Sequence, residues 1–239
     1  MRRRPVPRGR PRTLCVDIGG TGIKAVVLDD SGKAATERAR VATPRPATPH
    51  RVIAAIAALA RGQGAFDRVA VGFPGVVRNG ITETAWNLHP RWLGVDLAGT
   101  LAKVLERPVR AANDADVQGY GVVRGRGVEL VVTLGTGFGS ALFADGKLVP
   151  NLQLAHHRGW KKKTYEEELG AAALAKAGRK KWNRRVARMV LDLETLFHYD
   201  LLYIGGGNSE KVRFDEPHPK VRIVANVAGL LGGLSLWRD

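Results

Sequence analysis

The chain has 239 residues, 38 Lys and Arg against 22 Asp and Glu, a formal net charge of +16 and 44% hydrophobic residues. That much apolar material builds one large domain or two small ones and excludes a disordered basic tail protein. No apolar run nears the roughly 18 residues of a membrane span, the basic start leads into no secretory segment, and one cysteine, Cys15, excludes an intramolecular disulfide or a multi-cysteine metal site. A cytoplasmic protein is expected.

The charge is concentrated. Residues 1–12 carry six Arg and no acid, residues 158–188 carry eleven Lys and Arg against three Glu, and together they hold fourteen of the sixteen net charges. Pro5, Pro7 and Pro11 make the first block read as a disordered, solvated arm. The second lies in folded-looking sequence. It is either the solvated face of a helix or a surface for a polyanion such as nucleic acid, a phosphorylated metabolite or polyphosphate.

In chain order, apolar runs at 14–16 and 23–28 flank Asp17-Ile18-Gly19-Gly20-Thr21-Gly22, predicting a β-hairpin with a glycine turn. After a Pro-rich linker at 43–49, Val52, Ile53, Ile56 and Leu59 recur at helical spacing over 51–60. A buried strand at 69–72, a turn at Pro74-Gly75, a helix at 97–105 and a strand at 109–112 follow, and Asn113-Asp114-Ala115-Asp116 caps a further helix. The opening pattern then repeats. Strands at 130–134 and 140–143 flank Gly135-Thr136-Gly137-Phe138-Gly139, residues 164–197 read as mostly helical, and a strand at 201–204 ends in Gly205-Gly206-Gly207 before an apolar helix at 227–236. Two glycine-turn hairpins, one per half, predict a duplicated α/β architecture. Its parts are the arm at 1–12 and two lobes at 13–112 and 113–239, with a cleft between them.

Closely spaced glycines let backbone N–H groups approach an anion, and a neighbouring Thr adds a donor. Two such turns facing one cleft, with Asp17 at a strand end suited to a hydrated metal ion, point to phosphoryl transfer. That reaction needs a group to take the proton of the attacking hydroxyl. Asp114, at a strand-to-helix junction, is the candidate base, and Asn113 beside it can bond a polyol. Asp116 is the alternative base but should point away along the helix. Both Asn113 and Asp114 also fit a plain helix cap.

These motifs, with Gly72-Phe73-Pro74-Gly75-Val76-Val77 and Leu134 to Ser140, stand in the order of the ROK sugar kinases, which the chain resembles over residues 14–237. The run Gly139-Ser140-Ala141-Leu142-Phe143, then Asp145-Gly146 and Val149-Pro150-Asn151, is similar to the polyphosphate glucokinase branch. The resemblance implies a two-lobed actin-like ATPase (ribonuclease H-like) fold and transfer of phosphate from polyphosphate, or ATP, to the 6-hydroxyl of glucose or a related hexose. It implies Asp114 as general base, Asn113 and His156 on the sugar, Asp17 on Mg²⁺ through water, and Gly19, Gly20, Thr21, Lys24, Thr136 and Gly137 around the phosphates. Gly205 and Gly206 would give room to the donor. Neither zinc nor a membrane is implied, and a homodimer is.

The sequence departs from the family pattern at Gln153, where a Glu is expected three residues ahead of His156, and at Ala155, where Gly is usual. Gln keeps an acceptor but loses the charge, so it holds a hydroxyl less strongly. Glu166 either supplies a compensating carboxylate or is one of three solvated glutamates, and His157 is a bystander. Lys161, Lys162, Lys163, Arg184 and Arg185 are candidates to track a polyphosphate chain, while Trp160 and Trp182 read as packing residues. A sugar-binding or regulatory protein on the same fold, an ATP-dependent hexokinase of other specificity and a nucleic-acid binder are the competing readings. The last rests on charge alone, because no aromatics alternate with the basic run as stacking platforms would.

Overall fold

The computed structural model describes residues 10–159, 162–224 and 228–238. The chain opens with β1 (Thr13–Ile18), β2 (Gly22–Leu28) and β3 (Ala39–Ala42), then α1 (Pro49–Arg61) and β4 (Arg68–Phe73). Three two-residue strands, β5 (Val77–Arg78), β6 (Ile81–Thr82) and β7 (Val95–Asp96), form a small sheet, and α2 (Leu97–Leu105) and β8 (Val109–Asn113) complete the first half. A short buried helix, α3 (Asp114–Tyr120), leads to β9 (Val128–Leu134), β10 (Phe138–Ala144) and β11 (Lys147–Val149). The remainder is α4 (Tyr165–Leu169), α5 (Ala171–Phe197), β12 (Leu201–Gly205), β13 (Val221–Ile223) and α6 (Ala228–Leu231).

The two large sheets have the same plan. The first is ordered β3-β2-β1-β4-β8 and the second β11-β10-β9-β12-β13; in each, two antiparallel pairings are followed by two parallel ones. The duplication expected from the repeated glycine turn is thus a duplication of sheet topology. β1 and β4 are almost continuously buried, as interior strands covered on both faces must be, whereas the edge strand β3 alternates half-buried and exposed. One core packs α1 and α2 on the first sheet and another packs α5 on the second.

α5 buries Trp182, Val186, Met189, Val190 and Leu193, a stripe at helical spacing, and Trp182 Nε1 donates to the carbonyl of Leu169 at 2.9 Å. Trp182 is therefore a packing residue; Trp160, read the same way, lies outside the described residues. The predicted helical stretch breaks at Gly170, which caps α5, and again at Gly178, whose φ of 72° interrupts the helix.

Two expectations are corrected. The apolar helix predicted for 227–236 is α only over Ala228–Leu231 and continues as a 3₁₀ segment, Gly232–Trp237; Val227 is outside the described residues. The glycine pair there lies against neighbouring backbone and side chain: a Cβ on Gly232 would overlap the carbonyl of Val117, and one on Gly233 would sit 2.9 Å from Cys15 Sγ. This segment, read by pattern as part of the 113–239 lobe, packs on the first sheet as well as on α3. Leu230 and Leu234 pack on Cys15, Val26, Leu28 and Ala70 of the first sheet, and the guanidinium groups of Arg68 and Arg110 lie over the Trp237 ring at 5.3 and 4.8 Å. Arg12, expected in the solvated arm, is held by a 2.7 Å bond from its N–H to Asp67 Oδ2; residues 1–9 are outside the described residues. No helix among the described residues is long and apolar enough to cross a membrane.

α3 lies between the two sheets and buries a carboxylate, Asp116, whose Oδ1 has no partner and whose Oδ2 is only within 3.5 Å of the Asn151 N–H. Burial pushes this carboxyl up to about 7. The folded state then holds a proton that the unfolded chain has released, so stability falls as pH rises from the ordinary carboxylate value of 3.8 toward 7. Asp116→Asn is expected to raise Tm at pH 8 by about 2–4 °C, corresponding to about 1 kcal/mol, and by less at pH 5. Gly232→Ala is expected to destabilise the chain by about 1–3 kcal/mol in denaturant melts, because its methyl group must push the C-terminal segment off α3.

Candidate active site

Between the sheets is a cleft of about 500 Å³. Its first wall is the β1–β2 turn, where Asp17, Gly19, Gly20, Thr21, Gly22 and Lys24 line the space. Its second wall is the β9–β10 turn, with Thr136 and Gly137, and the two turns face each other: a Cβ on Gly20 would lie 3.8 Å from Thr136 Cγ2. The N–H groups of Gly20, Thr21, Thr136 and Gly137 donate to no acceptor among the described residues, leaving donors from both walls free for an anion. Gly206 and Gly207 line the cleft, but Gly205 does not; it makes room for the buried amide of Gln118, which a Cβ would meet. Gly205 is thus a packing glycine, and Gly207 lines the cleft instead.

Asp114 and Asn113 lie on the cleft wall at the start of α3. Asn113 Oδ1 accepts from the N–H groups of Ala115 at 2.9 Å and Asp116 at 3.2 Å, and its Nδ2 donates to the Gly75 carbonyl at 3.1 Å. It is a helix cap, and its amide retains a second N–H for a ligand. Asp114 Oδ1 accepts from the Ala115 N–H at 2.8 Å. Desolvation first, then the charges of Asp17 and Asp116, push its carboxyl up to about 7, the range in which a base can take a proton and later lose it. Asp116 does not line the cleft.

Asp17 is paired with Lys24, Nζ to Oδ2 at 3.0 Å, both side chains being partly buried. Among the described residues no group of three or more His, Cys, Asp or Glu side chains converges to cage a metal. One carboxylate beside free phosphate donors is nevertheless the donor set that suits Mg²⁺, which keeps several waters and takes much of its coordination from substrate phosphates.

The other end of the cleft is lined by Gln153, Ala155, His156 and Glu166. Ser140 Oγ pins the Gln153 loop, donating to the Leu152 carbonyl at 2.9 Å and accepting from the Leu154 N–H at 3.1 Å. The three consecutive glutamates have three different positions. Glu166 Oε2 faces the cleft and accepts from the Phe138 N–H at 3.3 Å and Asn87 Nδ2 at 3.4 Å. Glu167 closes a capping box with Thr164, and Glu168 is buried against Arg185, Nε to Oε2 at 2.9 Å. His157 is exposed, stacks on Tyr165 and does not line the cleft.

Among the described residues, the basic block does not reach this space. Lys162, Lys163, Arg184 and Arg185 line no part of the cleft; Lys163 lies 3.6 Å from Glu168, Arg185 is held by the same carboxylate, and Lys161 is outside the described residues. The cations that do line it, besides Lys24, are Arg38 and Arg40, which sequence reasoning missed. It also missed Trp86 and Asn87, from the loop between β6 and β7. Trp86 is 63% exposed yet its ring lies against that of His156, centroids 4.2 Å apart and tilted by 39°, and Asn87 reaches Glu166, so this loop spans the cleft.

A family model described as "ROK family" matches residues 13–160. The polyphosphate glucokinase of Mycobacterium tuberculosis is 34% identical over 207 residues, covering 82% of this chain and 77% of its own length. That of Mycobacterium leprae is 33% identical over 241 residues, covering 93% and 74%. Among solved structures, the inorganic polyphosphate/ATP-glucomannokinase of Arthrobacter sp. strain KM superposes with a TM-score of 0.84 at 35% identity, over 95% of this chain and 98% of that one. Matching topology, facing glycine turns and these similarities agree: the chain belongs to the ROK family, with the actin-like ATPase fold of its sugar kinases.

Proposed function

We propose that the chain transfers a phosphoryl group from polyphosphate, with ATP as a second donor, to the 6-hydroxyl of glucose or a related hexose. The observation that carries this reading is Asp114: a carboxylate tuned to about 7, fixed between a donor-rich pair of turns and a pocket of hydroxyl-binding side chains. The similarity to polyphosphate glucokinases and to a polyphosphate/ATP-glucomannokinase supports the choice of donor and sugar class.

In this reading Asn113, Gln153, His156 and Glu166 hold the hexose by its hydroxyls with the 6-hydroxyl at Asp114. The carboxylate accepts that proton as the oxygen attacks the terminal phosphorus; a new P–O bond forms, and the bond to the rest of the donor breaks. Gly20, Thr21, Thr136 and Gly137 bind the phosphate oxygens through backbone N–H groups, and Lys24 adds a charge. Bound Mg²⁺, held through water by Asp17, would neutralise donor charge. Positioning and electrostatics supply most of the rate in such a transfer.

Asp114→Asn is expected to fold, with a Tm at pH 8 at or above that of the wild type for the reason given for Asp116, and to lose at least about 10²-fold in kcat, the lower range for a positioned base, in a coupled sugar-phosphate assay. Because only the ionised carboxylate accepts the proton, wild-type kcat/KM is expected to rise with pH through about 7 and level above it; a profile flat from pH 5 to 9 would remove Asp114 as the base. Glu166→Gln is expected to raise KM for hexose about tenfold, the equivalent of about 1.4 kcal/mol. Gln153→Glu should lower it by a smaller factor, both read against glucose and mannose.

A further inference from the structure

We propose that Arg38 and Arg40 form an anion rail that receives the part of a polyphosphate chain lying beyond the reacting phosphate. The inference rests on the donor reading above and adds to it a binding surface on the first lobe.

β3 is the outer strand of the first sheet, bonded only to β2. The register places Asp17 opposite Lys24 and Lys24 opposite Arg40, so one row of side chains crosses the sheet from the cleft carboxylate to the open edge. Asp17 neutralises Lys24 at 3.0 Å, but no acid among the described residues neutralises Arg40. Among the described residues, neither Arg38 nor Arg40 has a carboxylate within ion-pair distance or donates a side-chain hydrogen bond. With Lys24 paired to Asp17, the charge left uncompensated in this row is that of Arg40 at the open edge, where an anion can meet it.

Arg38 immediately precedes β3, two residues from Arg40, and both line the cleft. The Arg40 guanidinium lies against the backbone of Gly22, where a Cβ would meet Nε at 2.7 Å, directly beside the phosphate-binding turn. The turn is itself braced from this side by Arg45, whose Nη2 donates to the Gly20 carbonyl at 3.1 Å. A chain of linked phosphates anchored in the two turns and leaving the cleft along β3 therefore meets one unpaired guanidinium after another. A short donor ends before it reaches them.

Arginine on an edge strand also prevents edge-to-edge pairing of sheets, a role that predicts no effect on donor use. The deciding experiment measures KM for long-chain polyphosphate, tripolyphosphate and ATP at two salt concentrations, in the wild type and in the double variants R38Q/R40Q, R38K/R40K and K162Q/R184Q. The rail predicts that R38Q/R40Q raises the ratio of long-chain to tripolyphosphate KM at least fivefold and flattens the salt dependence of the long-chain value, as loss of phosphate contacts does for nucleic acids. R38K/R40K, which keeps the charges, recovers most of the loss. A ratio unchanged in R38Q/R40Q, or shifted instead by K162Q/R184Q, overturns the rail while leaving the donor reading intact. A wild type that takes phosphate from ATP but from no polyphosphate overturns the donor reading, and the rail with it.

Discussion

Asn113 holds the site together. Its side chain ends β8, accepts the first free N–H groups of α3 and donates to the carbonyl of Gly75, so a strand, a helix and a turn meet at one amide. α3 cannot slide away from that anchor, because Ala115 and Val117 are buried, Gly119 abuts Phe143 and the Val117 carbonyl abuts Gly232. Asp114 inherits this fixed position. A helix N-terminus favours a carboxylate by about 1 kcal/mol, less than one pH unit, and α3 is only seven residues long. Desolvation between two sheets acts the other way and is larger, which is why the Asp114 carboxyl stands near 7 despite its place at a helix start.

Much of this arrangement was legible in the sequence because it follows from local chemistry. Glycine runs between apolar runs give hairpins wherever they occur, Leu97–Leu105 ends where the pattern says it should, and Asn113 followed by Asp114 announces a helix start. What was not legible depends on packing across the fold. Nothing in three successive glutamates says that one faces the cleft, although Thr164 three residues ahead of Glu167 is a recognisable capping box that would have set that one aside. Trp86 and Asn87 lie in an aperiodic loop whose use appears only when the second half of the chain arrives opposite it. The final helix failed for a similar reason: the glycine pair at 232–233 is a response to the carbonyl and the thiol it packs against.

Charge misled in an instructive way. Net charge summed over a window finds the block at 158–188, but part of that block is spent on Glu168 and its other described cations line no part of the cleft. Arg38 and Arg40 disappear in the same sum, since acids elsewhere in the first half offset them. Screening confines each charge to a neighbourhood of about 8–10 Å, so the field an anion meets is set by which cations lack a local partner, whatever the total.

The packing of α6 and the following 3₁₀ segment on the first sheet means that the chain leaves its first half at α3 and returns to it near α6, and these two helices touch. The sheets are thus joined by a pair of adjacent crossings. A single tether would let them swivel in any direction; a doubled one acts as a pivot with one soft axis. Asp114, carried by α3 itself, stays with the pivot. Trp86 and His156, carried by loops on opposite walls, meet across the mouth of the cleft, so their ring contact is the first that any widening of that mouth has to break.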